Sequence, residues 1–239
     1  MILGIEILLK GLKIKIRKEL VEAIKDYKYL LNRNYSMKNS LEIVVKRYFL
    51  NNIERMILYR CIHSEDIVKQ VVKKIVNPCS VKGEILLIDG FNVLITVDTA
   101  FSGGNVFLSD DSLLRDVSKS IRKFSFNKDK HGEELELIIK EAHALQPSKI
   151  IFFYDKQVSY SGEIASLTRK LGEKIGCNIE TIVSDRNDKT LITYSEKGVV
   201  SSSDIVILLK AKKVFDLAKH IITKWKPENI IDIISLSKN

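Results

Sequence analysis

The chain of 239 residues is predicted to be an α/β protein, with a mainly parallel sheet and helices on both faces, preceded by a small all-α domain. Three observations predict this arrangement. Residues 16–76 carry apolar side chains at helical spacing, whereas beyond residue 84 short apolar runs alternate with helical stretches. Several of those runs end in aspartate, at the strand ends where α/β sheets bind ligands. The excess positive charge is confined to the first third of the chain.

Residues 1–77 are predicted to form the helical domain. Apolar side chains recur on one helix face: Leu20, Ile24, Tyr27 and Leu31. Residues suited to helix N-caps punctuate the segment: Ser40 before 41–48, Asn51 or Asn52 before 53–62, and Ser64 before a last helix. Residues 1–83 hold 17 Lys and Arg against 8 Asp and Glu, whereas residues 84–239 hold 22 of each. This asymmetry predicts contact with a polyanion such as RNA; the alternative is a lysine-rich helical surface without a partner.

Residues 84–239 are predicted to form the α/β domain. Strands are predicted over 84–89, 149–154, 178–183, 198–203 and near 213–217. Helices are predicted near 111–124, 131–145 and 162–175, with a short helix after 203 and a terminal helix. Residues 101–105, with two glycines, are predicted to be a loop at the rim of the site.

Acidic residues follow the apolar runs of four predicted strands: Asp89, Asp155, Asp185 and Asp204. Neighbouring parallel strands would bring such carboxylates together at one edge of the sheet. Carboxylates without a countercharge repel each other, and Mg²⁺ or Mn²⁺ relieves that repulsion through oxygen ligands. The pattern therefore predicts a divalent-cation site that hydrolyses phosphodiesters.

Most of these residues also have a structural interpretation. Asp110 or Asp111 is either a helix N-cap or a metal ligand, with Asp111 balanced by Arg115 one turn on. Asp204 is either a ligand or the cap of the following short helix. Asn92 either orients a carboxylate or phosphate, or caps a turn. A loop of the composition of 184–188, which contains Asp185 and Asp188, is usually only solvated.

The stretch after Asp155 offers a second feature of the predicted site. Ser159 and Ser161 precede a helix whose N-terminus would present hydroxyls and backbone N–H groups to a phosphate. A plain serine cap, with Glu163 in the first turn, is the structural alternative and is compatible with the first.

Other classes are excluded by what the sequence lacks. It has neither GxxxxGK[ST] nor GxGxxG, which excludes the common nucleotide-binding loops. The second aspartate of haloacid-dehalogenase-like phosphatases is absent, because Phe91 stands two residues after Asp89. No histidine lies near the strand-end motifs, and three scattered cysteines match no zinc spacing. The chain has no apolar run long enough for a membrane span and no signal-peptide order, so a cytoplasmic location is expected.

Four motifs in order resemble PIN-like, NYN-related nuclease domains: IDGFNVL at 88–94, LSDDSLLRD at 108–116, FFYDKQVSYSGE at 152–163 and VVSSSD at 199–204. The helical segment resembles a domain of unknown function that precedes such domains in uncharacterised archaeal proteins. The resemblance implies Mg²⁺- or Mn²⁺-dependent ribonuclease activity. It carries the catalytic and metal-binding role onto Asp89, Asp111, Asp155 and Asp204. It assigns supporting polar roles to Asn92, Ser159 and Ser161.

The sequence departs from the family pattern in two places. Ser112 stands where a glycine commonly follows the acidic pair, and Lys156-Gln157 replace a small residue and proline. Lys156 would weaken ion binding or contact a phosphate. The acid that many PIN domains contribute from the third strand is either Asp185 or Asp188.

The sequence thus predicts a metal-dependent endoribonuclease acting on single-stranded or structured RNA, with the basic helical domain helping to hold the substrate. The alternative is a catalytically weak or inactive module on the same scaffold, which binds RNA or a protein. No membrane contact is expected, and the resemblance implies a homodimer.

Overall fold

Two compact units, each assembled from separate stretches of sequence, are present in the computed structural model, which describes residues 15–118 and 125–238. The first unit contains residues up to Lys73, from Thr99 to 118, and from Trp225 onward. The second contains Lys74–Asp98 and residues 125–224. The first unit therefore includes two segments that the sequence analysis assigned to the α/β domain.

Four helices form most of the first unit: α1 (Lys18–Asn32), α2 (Met37–Arg47), α3 (Asn52–Cys61) and α4 (Glu65–Val72). The predicted apolar stripe of α1 is buried against α2 and α3. Asn51 caps α3 in a capping box with Glu54, and Ser64 caps α4, as predicted. The prediction that Ser40 caps α2 is wrong: Ser36 is the cap, accepting from the Asn39 N–H, and Ser40 is buried within the helix.

A three-stranded sheet completes the first unit. Its strands are β2 (Val106–Leu108), β3 (Leu114–Arg115) and β8 (Ile230–Asp232), in the order β3-β2-β8, followed by α11 (Ile233–Lys238). β2 pairs with β3 antiparallel and with β8 parallel. The helix predicted near 111–124 is wrong for 111–118, because Ser112 has φ 68° and the chain then enters β3. Residues 119–124 lie outside the described part of the chain.

A five-stranded parallel sheet forms the centre of the second unit, with the order β5-β4-β1-β6-β7. The strands are β1 (Ile85–Asp89), β4 (Lys149–Asp155), β5 (Ile179–Ser184), β6 (Val199–Ser201) and β7 (Lys213–Val214). The connecting helices are α5 (Gly90–Phe101), α6 (Lys128–Ala144), α7 (Ser161–Ile175), α8 (Asn187–Tyr194), α9 (Ile205–Lys210) and α10 (Leu217–Trp225). Short 3-10 turns lie at Pro78–Val81, Ser195–Lys197 and Pro227–Asn229. The α/β class and the mainly parallel sheet flanked by helices are thereby confirmed.

β1 is the central strand, and its side chains from Leu86 to Asp89 are buried, as expected for a strand covered on both faces. α5 begins at the next residue, Gly90. A Cβ at Gly90 would lie 2.3 Å from Cε1 of the Tyr154 ring, so only glycine allows this close approach. Within residues 15–118 and 125–238, none of the helices combines the length and the apolar character that crossing a membrane requires.

Candidate functional site

The strand order of the parallel sheet identifies where a ligand site is expected. From β1 the chain moves to β4 and β5 on one side, then returns to β6 and β7 on the other. The direction of progression therefore reverses between β1 and β6. In open parallel sheets, ligands bind beyond the carboxyl ends of the strands at such a reversal. Asp89 ends β1, and Ser202, Ser203 and Asp204 follow β6 directly.

Asp89 is buried at this point, with 8% of its surface exposed. One of its oxygens, Oδ2, accepts a hydrogen bond from the Ser202 hydroxyl at 2.8 Å, and the backbone N–H of Asn92 also donates to the carboxylate. Burial raises the pKa of Asp89 to about 6, and the negative charges of Asp188 and Asp204 act in the same direction, while these two hydrogen bonds oppose the rise. The carboxylate therefore lies in a negative environment at neutral pH.

Asn92 joins the first turn of α5 to the segment after β6. Its Oδ1 accepts from both the backbone N–H and the hydroxyl of Ser203, each at 3.0 Å. The Asn92 side chain thus links the two segments by hydrogen bonds. Its amide nitrogen has no hydrogen bond among the described residues. These two hydrogen bonds hold the carboxyl ends of β1 and β6 next to each other.

Asp204 has the capping role that the sequence analysis left open. Its Oδ1 accepts from the N–H groups of Val206 and Ile207 at 2.8 and 3.4 Å, which caps α9. Its own N–H donates to the Ser202 hydroxyl at 3.1 Å. Oδ2 takes no hydrogen bond from the described residues, so one oxygen stays available while the cap fixes the side chain.

Asp188 enters the site from α8, a helix that the sequence analysis did not predict. It is exposed at the start of this helix, and its charge reaches Asp89. Asn187, the residue before it, is buried, and its Oδ1 has no hydrogen-bond partner among the described residues. A buried amide oxygen without a donor beside an acidic site suits a cation or a bound water.

The donor set fits a hard divalent cation bound partly through water. Asp89, Asp188 and Asp204 supply carboxylate oxygens, and the two charged side chains that act on the Asp89 carboxyl, Asp188 and Asp204, are both acidic. Among the described residues, these acids are not a tight cluster with ligand atoms all within 4.8 Å of one another. Mg²⁺ retains several of its waters in protein sites, and such waters bridge the wider spacing.

Asp155 ends β4, the strand beside β1, and extends two residues past the Asp89–Phe153 pair of the register. Its Oδ1 accepts from the Gln157 N–H at 2.8 Å. Ser159 is exposed, whereas Ser161 is buried at the start of α7 and donates weakly to the Lys156 carbonyl at 3.5 Å. These residues lie along the same sheet edge as Asp89.

Lys156 and Asp185 form an exposed ion pair, with Nζ and Oδ2 3.4 Å apart. The Asp185 side chain is 68% exposed, which favours the solvated-loop interpretation for this acid. Of the two candidates for the third-strand acid, Asp188 therefore has the better position, because its charge reaches Asp89.

Asp111 belongs to the first unit, where it forms a buried ion pair. Both its oxygens accept from the Arg115 guanidinium at 2.6 Å, and the two side chains are 0% and 1% exposed. Arg115 holds the pKa of Asp111 below its usual value against the opposing effect of burial. The balance of Asp111 by Arg115 was predicted from the sequence. Because the bidentate pair uses both oxygens, we leave Asp111 out of the proposed cation site.

Asp110 is also used within the first unit. Its carboxylate accepts from Lys28 Nζ, from the His63 N–H and from His63 Nδ1, each at 2.8 Å. His63, Asp110 and Asp111 have ligand atoms within 4.8 Å of one another. Lys28 and Arg115 already balance the two carboxylates, so this group is an internal charge network that needs no cation.

A second such group, Asp98, His131 and Glu134, lies buried in the second unit. The Asn127 N–H donates to His131 Nδ1 at 2.8 Å, which places the proton of a neutral ring on Nε2. Nε2, the nitrogen that lies 3.9 Å from Asp98, then has no lone pair for a metal. Lys130 is also ion-paired with Asp98. The group is therefore explained by its own charges.

Two features of the site were missed or only partly found from sequence. The three consecutive serines before Asp204 indicated a polar edge, but not that Ser202 would bind Asp89 and Ser203 would bind Asn92. Asn187 gave no signal, because an asparagine in a charged loop is common. Its importance depends on burial, which only the fold reveals.

Comparison with known proteins identifies the family. The chain belongs to the family described as "Domain of unknown function (DUF5616)", which matches residues 78–220. A second family, described as "Protein of unknown function (DUF434)", matches residues 19–74. An uncharacterized protein of Methanocaldococcus jannaschii is 32% identical over 207 residues, which cover 86% of this chain and 97% of that protein. No solved structure gave a significant match.

Proposed function

We propose that the second unit is a PIN-like ribonuclease that hydrolyses RNA phosphodiesters with the help of Mg²⁺ or Mn²⁺. One observation carries the proposal. A buried aspartate, Asp89, ends the central strand where the strand order reverses, and two further acids, Asp188 and Asp204, act on its charge. Acids so placed, whose negative charges act on one another, favour a divalent ion and a phosphate substrate.

The residues have separate roles in this proposal. Asp89, Asp188 and Asp204 hold the cation, and Asn187 Oδ1 accepts from one of its waters. Ser202 orients Asp89, while the hydrogen bonds between Asn92 and Ser203 keep the two strand ends together. When bound, the cation supplies positive charge that stabilises the phosphodiester oxygens during hydrolysis.

Substrate contacts are proposed along the neighbouring strand end. Asp155, Lys156 and Ser159 follow one another at the carboxyl end of β4, next to β1. Lys156 is 63% exposed in its side chain and is paired, among the residues of 15–118 and 125–238, with the exposed Asp185, so an RNA phosphate can replace that partner. Ser161 is buried, and its proposed role is to shape this loop.

Cleavage of a labelled mixed-sequence RNA tests the proposal. Wild type is compared with Asp89→Asn and with Asp185→Asn in the presence of Mn²⁺, Mg²⁺ or EDTA. We expect cation-dependent cleavage that falls by about 100-fold or more in Asp89→Asn. Asp185→Asn is the matched control, because it makes the same chemical change at an exposed acid. It should cleave at least as fast as wild type, since it only releases Lys156 from its ion pair.

Calorimetric titration with Mn²⁺ provides a readout independent of activity. Asp89→Asn should lose Mn²⁺ binding, and Asp185→Asn should keep it. Cation-dependent cleavage that is equal in wild type and Asp89→Asn would place the site elsewhere. Absence of cleavage with any cation, together with intact RNA binding, would instead favour the alternative of a non-catalytic RNA-binding module.

A further inference from the structure

The first unit exposes an unusual concentration of aromatic and arginine side chains around α1 and α2. Tyr29 is 55% exposed and Phe49 is 88% exposed. The Arg33 guanidinium lies 3.5 Å from the centroid of the Tyr29 ring, and that of Arg47 lies 5.5 Å from the Tyr48 ring. Each guanidinium therefore lies within cation–π distance of an aromatic ring, and both arginines are exposed.

Asp26 connects Arg47 and Tyr48, at the end of α2, to the face of α1 that carries Tyr29 and Arg33, and Phe49 is the residue that follows Tyr48. The Tyr48 hydroxyl donates to Asp26 Oδ2 at 2.7 Å, and Arg47 Nε lies 3.4 Å from the same oxygen. On α1, Tyr29 and Arg33 follow Asp26 by three and seven residues, which places all three on one face within about 10 Å along the helix axis. We call Tyr29, Arg33, Arg47, Tyr48 and Phe49 the aromatic–arginine surface.

Phe49 occupies a backbone position that normally belongs to glycine. It follows the C-cap of α2 with φ 48°, and the Leu50 N–H bonds back to the Val45 carbonyl, as in a Schellman motif. A bulky residue is strained in this conformation, and its ring gains nothing from burial at 88% exposure. Strain retained at an exposed aromatic residue points to a use outside the folding of the chain.

The charge around this surface favours an anionic partner. Arg33, Lys38, Lys46 and Arg47 are exposed, whereas the nearby Glu42 is paired with Arg55. By contrast, the two basic residues of α3 have partners within the unit, since Arg55 contacts Glu42 and Arg60 donates to the Asp116 carbonyl at 2.6 Å. α3 therefore does not present a basic face suited to the groove of a duplex.

We propose that the aromatic–arginine surface binds single-stranded RNA, with bases stacked on Phe49 and Tyr29 and phosphates bonded to Arg33 and Arg47. Exposed rings alternating with cations are the arrangement that single strands bind, because unpaired bases offer their faces. The choice of RNA rests on the proposed function of the second unit. The surface itself lies wholly within the first unit and contains none of the proposed cleavage residues.

Fluorescence anisotropy with a labelled oligouridine of about 12 nucleotides tests the surface in the full chain. EDTA is present throughout, so that binding is measured without cleavage. Phe49→Gly should weaken binding by about 5-fold or more, the loss expected for one stacked base. The same substitution should raise the melting temperature, because glycine relieves the strain at φ 48°. A merely structural Phe49 would not produce these opposite changes.

Matched variants separate stacking from other effects. Phe49→Trp and Tyr29→Phe keep the rings and should bind like wild type, whereas Tyr29→Leu keeps the apolar bulk and should bind more weakly. Asn34→Gly is the backbone control: Asn34 also has a positive φ, 62°, but no ring, so binding should not change. A duplex of the same length should compete poorly in every case.

The salt dependence of binding separates the arginines from the rings. Arg33→Gln together with Arg47→Gln should reduce the slope of log Kd against log salt by about 1.4, that is about 0.7 for each phosphate contact on a single strand. Phe49→Gly should leave that slope unchanged, because stacking releases no counterions.

Unchanged RNA affinity in Phe49→Gly, Tyr29→Leu and the double arginine variant would overturn the inference. If the same variants changed the oligomeric state, the surface would be an interface between copies of the chain. Failure of the proposed cleavage is distinguishable, because it concerns Asp89→Asn in the presence of cation and leaves binding in EDTA intact.

Discussion

Asp89 is the residue at which stability and the proposed function are opposed. Burial and two neighbouring acids raise its pKa from 3.8 to about 6, so the folded chain holds an unfavourable negative charge at neutral pH. In the unfolded chain this carboxyl ionises at its ordinary pKa. Its contribution to stability is therefore greatest below pH 3.8 and is lost as the pH rises through about 6.

We predict that Asp89→Asn stabilises the protein at neutral pH. A shift of this size corresponds to about 3 kcal/mol in the free energy of unfolding. The gain should shrink on acidification and almost disappear at about pH 3, below the ordinary pKa of 3.8, where the wild-type carboxyl is largely protonated in both states. The difference in the free energy of unfolding is measured by urea unfolding of wild type and Asp89→Asn in EDTA, at neutral pH and at the acid pH.

Asp185→Asn is again the matched control. Its side chain is 68% exposed, and its free energy of unfolding should change little at either pH. A variant at Asp89 that is less stable than wild type at neutral pH would contradict the prediction. It would mean that the hydrogen bond from Ser202 outweighs the burial of the charge.

At the scale of elements, the turn between β2 and β3 shows how a buried ion pair can look like a metal ligand in sequence. Asp111 is 0% exposed and Arg115 is 1% exposed, with two hydrogen bonds of 2.6 Å between them. The Leu113 N–H also donates to Asp111 Oδ1 at 3.2 Å. The ion pair of Asp111 and Arg115 therefore stabilises the turn between β2 and β3.

Asp111→Asn is therefore predicted to destabilise the fold by about 3–5 kcal/mol, because it removes the negative charge that balances the buried Arg115 guanidinium. Where the variant folds, in the cold or with a stabilising osmolyte, it should still bind Mn²⁺. Thermal unfolding and calorimetric Mn²⁺ titration are the two measurements. A variant that unfolds like wild type but no longer binds Mn²⁺ would restore Asp111 as a ligand.

The elements also show which parts of the fold the sequence can predict. β1, β4, β5 and β6 were predicted because each is a short apolar run with a polar end, a local signal. α5 was missed because it is buried on nearly all sides, which leaves no polar face and hence no helical period. β8 was missed because its partner, β2, lies more than a hundred residues earlier in the chain.

The candidate site divides in the same way. Asp89, Asn92 and Asp204 were predicted from their strand-end positions, and the structure joins them through Ser202 and Ser203. The role of Asp188 depends on α8, whose position is set by packing against the sheet. Asp110 and Asp111 were ambiguous because paired acids before a short apolar run suit a helix start as well as a site. The contacts of these acids with Lys28, His63 and Arg115, seen only in the structure, show that Asp110 and Asp111 are used within the first unit.

At the scale of the whole molecule, the boundary in sequence does not match the boundary in space. The hydrophobic core of the first unit combines helical residues such as Leu20 and Tyr27 with Phe107, Val117 and Ile233. The last three come from the part of the chain beyond residue 84, and each is at most 2% exposed. Burying a side chain of this kind contributes about 1.5–3 kcal/mol. Together the three are comparable with the stability of a whole domain.

We therefore predict that a fragment of residues 78–239 does not fold cooperatively by itself, although a family match covers residues 78–220. Without the helices, Phe107, Val117 and Ile233 lose their apolar partners. The fragment should bind the dye ANS and unfold over a broad temperature range. Addition of a separate fragment of residues 1–77 should suppress dye binding and restore a sharp transition, because it supplies the missing half of that core. A fragment that unfolds sharply alone, without dye binding, would show that the α/β part forms an independent domain. In that case the segments 99–118 and 225–238 would have to find other apolar partners within the second unit.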